Sequence, residues 1–99
     1  TDKVTAVVLR NVKTQEVREL ACDAVFFFVG MNPKTELFPD ATKDAAGYIV
    51  TDEDMRTSIE GLYAAGDVRV KSFRQVVTAV ADGAIAAHTA AAYIDNLRS

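Results

Sequence analysis

The chain has 99 residues, a length that suits one small domain, and 49% of them are apolar, so a core of limited extent can form. Its net charge is −3, with eleven basic residues scattered among fourteen acids; the absence of a basic stripe argues against a nucleic-acid surface. The single cysteine, Cys22, cannot close an internal disulfide and fits a reducing, cytoplasmic setting. No secretory leader is recognisable, and no uninterrupted apolar run approaches the roughly 20 residues of a bilayer span.

"VTAVVLRNV" (residues 4–12) is rich in β-branched side chains, and "QEVRELAC" (15–22) alternates apolar with charged positions. With Lys13-Thr14 between them they predict a β-hairpin with one face in water. "AVFFFVG" (24–30) is a continuous apolar run closed by glycine, the pattern of a strand buried on both faces. In "MNPKTELF", Pro33 can open a short helix. Residues 39–47 read as loop, "YIV" as a short strand and "TDEDMRTS" as a solvated turn. "GLYAAG" (61–66) predicts a second buried strand. Phe73, Val76, Val77, Val80, Ala84, Ala87, Ala91 and Ile94 recur at steps of three and four, so one apolar helical face is expected over about residues 73–96. Ala79, Gly83, Ala86, Ala87 and Ala90 keep that helix slim enough for a sheet or ligand to approach its backbone.

Little in the chain looks like chemistry. Glycines at 30, 47, 61, 66 and 83 do not make a phosphate-cradling GxGxxG or a P-loop. One histidine and one cysteine cannot make a zinc site. His88 reads as a partly exposed helix residue and Cys22 as a small hydrophobe. The Asp52-Glu53-Asp54 cluster lacks the ligand spacing of a calcium loop. What remains is Gly66-Asp67. A strand ending in glycine lets the backbone come close to something, and an aspartate there can accept two hydrogen bonds from neighbouring hydroxyls, as on a ribose or ribityl chain. The helix behind it presents unpaired N–H groups and a positive dipole end, with Arg74 and Gln75 at its start. Asp67 as a simple turn cap is the other reading, and these residues alone leave both open.

"TSIEGLYAAGDV", followed by "RQVVTAVADGAIAA", resembles the C-terminal signature of bacterial low-molecular-weight thioredoxin reductases. "FFFVGMNPKTELF" resembles the stretch that leads from that family's NADPH domain back into its FAD domain. The resemblance runs over nearly the whole chain. It implies an α/β fold, part of a FAD/NAD(P)-binding Rossmann-like domain: a β-hairpin, buried strands and a long C-terminal helix. Residues 1–29 would be the last strands of the NADPH-binding domain and residues 30–99 the C-terminal segment of the FAD-binding domain.

By the same resemblance, Asp67 would hold the ribityl hydroxyls of FAD and Gly66 would permit the approach. Arg74, Gln75 and the Val76 N–H would lie along the flavin ring, while Gly30, Asn32 and Pro33 would occupy the crossover between domains. The parent would be an NADPH-dependent thioredoxin-disulfide reductase, carrying hydride from NADPH to FAD and electrons on to a dithiol and to thioredoxin. The family's two glycine loops and its CxxC are not in these 99 residues. The chain alone is therefore expected to name no catalytic residue, to bind neither cofactor and to be inactive. Flavoprotein subunits of peroxide-reducing systems and thioredoxin-reductase-like ferredoxin reductases share the architecture. A non-enzymatic binding or self-association module is the alternative from another class. In either case unpaired strand edges predict a homodimer or larger assembly.

Overall fold

A computed structural model describes residues 2–99. The chain divides into two compact units, Thr1–Met31 and Asn32–Ser99.

The first unit is the expected hairpin. Strand β1 (Ala6–Arg10) pairs antiparallel with β2 (Val17–Ala21), in a register running from Ala6 opposite Ala21 to Arg10 opposite Val17. The β-branched content of β1 favours the extended backbone, and an Asx turn ends it. The Asn11 side-chain oxygen accepts the N–H groups of Lys13 (2.9 Å) and Thr14 (3.2 Å). Gln15 adopts φ +63° and donates its N–H to the Asn11 carbonyl at 2.8 Å. The β2 residues are exposed throughout, so the hairpin is held by its ladder and turn more than by a core.

The buried strand expected at 24–29 does not form. These residues carry no ladder, and Phe28 and Val29 are 90% and 95% exposed. The reason is physical. A strand buried on both faces needs a neighbouring strand and covering layers, and among the described residues of this unit the only ladder is β1–β2. Phe26 and Phe28 instead stack on each other, with ring centroids 6.3 Å apart.

The second unit is loops packed on one helix around Ala41, Ile49, Met55 and Ala64. Ile49 is its hub: isolated bridges join it to Lys43 and to Arg69. The "YIV" strand is thus present only as single bridges. The strand expected at 61–66 likewise reduces to one bridge, Tyr63 to Arg56, with Ala64 buried behind it. No short helix follows Pro33; a turn lies at Glu36–Leu37. The acidic turn is solvated as expected. Asp52 caps it through the N–H groups of Asp54 and Arg56, and Arg56 pairs with Asp54 at 2.6 Å and with Asp52 at 3.4 Å. The bond from the Arg56 N–H is the main reason the Asp52 carboxyl is held below its usual range.

Helix α1 spans Val76–Arg98, about 34 Å at 1.5 Å per residue. Its existence follows the periodicity, but its inward face does not. The residues turned toward the unit are Ala79, Asp82, Ala86, Thr89, Ala90 and Tyr93, at steps of three and four. The aliphatic stripe faces out: Val76 and Val77 are 81% and 72% exposed. The small side chains won the inner face because the loops lie close to the helix axis. A Cβ added at Gly61 would sit 3.6 Å from the Tyr93 ring, and the Tyr93 hydroxyl donates to Glu60 at 3.1 Å. By length and average composition α1 reaches what a bilayer span needs, although no single apolar run does. Its buried Asp82 and Thr89 mark it as a helix laid against its own unit.

Candidate functional site

The chain before α1 makes a sharp corner. Gly66–Val68 forms one 3-10 turn, closed by the Arg69 N–H on the Gly66 carbonyl at 3.2 Å. Gly66 has φ +82°, a backbone region open to glycine and strained for other residues. Its Cα side lies against α1, where an added Cβ would meet the Ala79 Cβ at 3.5 Å. The corner is pinned from three directions. From the Ile49 side, the Ile49 N–H reaches the Val68 carbonyl (3.0 Å) and the Val70 N–H the Ile49 carbonyl (2.8 Å).

The second anchor is Asp82, one turn along α1 from Ala79. One carboxylate oxygen, Oδ2, accepts three donors: the Gly66 N–H at 3.0 Å, Arg69 Nη1 at 3.2 Å and Lys71 Nζ at 2.8 Å. Asp82 is 7% exposed, and a buried carboxylate is costly unless its lone pairs are met. Burial alone would push its pKa up. The hydrogen bonds from Lys71 and Gly66 and the charges of Arg69 and Lys71 outweigh burial, so its carboxyl is held below the usual range. Arg69 is itself steadied by donating from Nε to Thr51 Oγ1 at 2.8 Å.

The third anchor is Arg74. Its Nε donates to the Asp67 carbonyl and its Nη2 to the Arg69 carbonyl, both at 3.1 Å, while the guanidinium lies 3.8 Å from the centre of the Tyr48 ring. Arg74 therefore spends these donors on the corner itself and stacks on an aromatic face. Gln75 is the N-cap of α1. A capping box closes it against Thr78, whose Oγ1 accepts the Gln75 N–H at 3.1 Å. Val76 follows as the first helical residue, largely exposed.

Of the residues singled out in the sequence, Gly66, Asp67, Arg74, Gln75 and Val76 thus come together at one corner. Asp67 itself is exposed, and among the described residues its carboxylate enters no hydrogen bond. The corner offers an acceptor-only group on a rigid turn, beside a helix N-terminus whose first N–H groups have no intrahelical partner. Such an arrangement can take hydroxyl donors on one side and an electron-rich or anionic edge on the other. His88 is exposed on α1, and Cys22 is a half-buried free thiol in the other unit. Among the described residues no cluster could hold a metal ion.

Sequence reasoning missed Asp82 and Tyr48. The signal for Asp82 was available: it is the one acid between Val76 and Tyr93, three residues from a small alanine, with two bases just upstream at 69 and 71. Tyr48 carried no such signal, because its partner Arg74 lies 26 positions away.

The family described as pyridine nucleotide-disulphide oxidoreductase matches residues 1–83. A thioredoxin reductase of Treponema pallidum (strain Nichols) is 69% identical over 97 residues, covering 98% of this chain and 32% of that protein. The crystal structure of Lactococcus lactis thioredoxin reductase aligns with TM-score 0.75 at 48% identity, over 93% of this chain and 31% of that one. That of T. acidophilum thioredoxin reductase aligns with TM-score 0.74 at 40% identity, over 94% and 31%. The chain spans about a third of the length of these relatives, and its α/β fold is that of part of a FAD/NAD(P)-binding, Rossmann-like enzyme. Because that family matches residues 1–83 of the 99, this chain belongs to the pyridine nucleotide-disulphide oxidoreductase family.

Proposed function

We propose that this chain supplies one wall of the flavin site of an NADPH-dependent thioredoxin-disulfide reductase. Residues 1–29 belong to its NADPH-binding domain and residues 30–99 to its FAD-binding domain. The observation that carries the reading is the Asp67 carboxylate, held outward on an immobilised 3-10 turn with no intramolecular hydrogen bond among the described residues. Such a carboxylate fits the paired hydroxyls of a ribityl chain, which can both donate to it. FAD, when bound, carries electrons between NADPH and a dithiol. The tasks of this chain are to bind and orient. Asp67 holds the ribityl hydroxyls, Gly66 leaves room for that approach, and Arg74 orders the corner. Gln75 and the Val76 N–H bring the positive end of α1 to the flavin ring.

Within the family, 69% identity to a thioredoxin reductase favours that activity over peroxide-reducing subunits or ferredoxin reductases. Thioredoxin is then the protein partner, a homodimer the assembly and the cytoplasm the setting. With one cysteine and no glycine-rich loop in its 99 residues, the chain by itself binds neither FAD nor NADPH and does not turn over.

The test is Asp67→Ala in the full-length reductase. Losing charge-assisted hydrogen bonds worth about 1.5–3 kcal/mol should weaken FAD binding by roughly ten- to a hundredfold. NADPH affinity should stay within about twofold, within the ordinary scatter for a surface change remote from a site. Equal loss of both affinities, or loss of neither, refutes the assignment.

A further inference from the structure

Asp82 does more in this structure than neutralise two bases. It lies on α1, one turn from the alanine that abuts Gly66, and its Oδ2 takes the backbone N–H at the start of the 3-10 turn (3.0 Å). The same oxygen binds Lys71 (2.8 Å) and Arg69 (3.2 Å), residues that lead out of the turn. The turn is thus tied at its entrance and exit to a single buried atom. Within the 3-10 turn Gly66–Val68, Asp67 is the one exposed residue. A surface ion pair would do little of this. Here the Lys71 and Asp82 side chains are 8% and 10% exposed, so the geometry is enforced by the cost of leaving any partner unmet.

We propose that Asp82 is the positioning residue of the corner: by holding Gly66, Arg69 and Lys71 on one oxygen it fixes the direction in which Asp67 meets its ligand. Asp82 touches no ligand and acts only through the turn. The inference rests on the reading of Asp67 as the acceptor for ribityl hydroxyls. It adds that the affinity of that acceptor is set from the helix behind it, since a binding group that must first be ordered loses affinity.

A double-mutant cycle on FAD affinity in the full-length reductase tests this. Asp67→Asn, Asp82→Asn and the combination are titrated with FAD as apoproteins, with flavin fluorescence as readout. Asp67→Asn and Asp82→Asn should each weaken binding by about tenfold, and adding Asp82→Asn to Asp67→Asn should cost less than about threefold more, the non-additivity of residues that act as one unit. A merely structural Asp82 would lower stability yet leave the two effects on affinity multiplicative, and that result overturns the proposal while leaving the role of Asp67 intact. Unchanged FAD affinity in Asp67→Asn overturns the flavin reading and this proposal with it.

Asp82→Asn leaves two cations with a weaker partner, so the apolar triple Asp82→Leu with Lys71→Met and Arg69→Met gives an independent arm that removes all three charges of the cluster together. It removes the acceptor for the Gly66 N–H and should again weaken FAD by about tenfold, the scale of a lost interaction in a coupled network. Wild-type FAD affinity in that folded protein refutes the proposal.

Discussion

Alanine at position 66 separates two costs that a glycine corner can carry. The first is steric: an added Cβ would lie 3.5 Å from the Ala79 Cβ, ordinary van der Waals contact that demands little. The second is conformational: at φ +82° an L-residue is strained by about 1–2 kcal/mol. Strain should therefore dominate, and Gly66→Ala should destabilise by roughly that amount. Gly83 is the control. It lies inside α1, and an added Cβ would meet nothing within 4 Å. There alanine only removes the backbone freedom of glycine in a helix, so Gly83→Ala should stabilise by about 0.5–1 kcal/mol. The two substitutions are chemically identical and should have opposite signs. Urea denaturation of the 99-residue chain, followed by far-UV circular dichroism with all variants at one protein concentration, measures both. With a slope of about 1.5 kcal/mol/M, the two midpoints should differ by about 1–2 M. A Gly66→Ala midpoint at or above wild type, or a Gly83→Ala midpoint below it, refutes the reasoning.

The Asp82 carboxyl is held below its unfolded value, which is about 3.9. Its contribution is therefore complete above that value and is lost as pH falls through the lower, folded one. Asp82→Asn should cost about 3 kcal/mol at pH 7, the scale of a broken buried pair. The gap in urea midpoint between wild type and variant should close as pH falls below about 4 and through the lower value at which the folded carboxyl takes up its proton. A gap that stays constant is the contrary result. The exposed Phe26–Val29 run should drive the isolated chain into dimers or larger assemblies in light scattering; a clean monomer that unfolds cooperatively would count against this. After incubation with FAD and desalting, the isolated chain should show no flavin absorbance, and a retained flavin band would contradict its proposed dependence on the rest of the reductase.

How much was legible in the sequence depended on where each element finds its partners. The hairpin carries its own: Val17, Leu20 and their charged neighbours alternate, and Asn11 closes the turn locally, so period and turn chemistry agree with the observed register. Residues 24–29 and 61–66 have strand composition, but a ladder is a property of two segments, and the described residues provide only the Tyr63–Arg56 bridge. The helix was legible as a helix and misread as a surface. Periodicity finds the apolar stripe, whereas burial in this unit follows close approach, which selects Ala79, Ala86 and Ala90 and admits Asp82 because three donors await it. At the candidate site, the five residues gathered by resemblance do meet at one corner, yet the atoms that hold the corner still belong to Asp82, Ile49 and Tyr48. Their partners lie 11 to 26 positions away, beyond what local pattern can report.

The shared oxygen of Asp82 also constrains how this corner can change over generations. Positions 69, 71 and 82 form one electrostatic unit with two positive members and one negative. A lineage that replaces the acid strands a lysine whose side chain is 8% exposed, and one that replaces the lysine first leaves the acid with a single cation. Single steps are costly in either order, whereas a change that takes the acid and both bases together is not. Among relatives, the residue at 82 and those at 69 and 71 should therefore vary together, acid with bases or neutral with neutral, even where Gly66 and Asp67 stand unchanged.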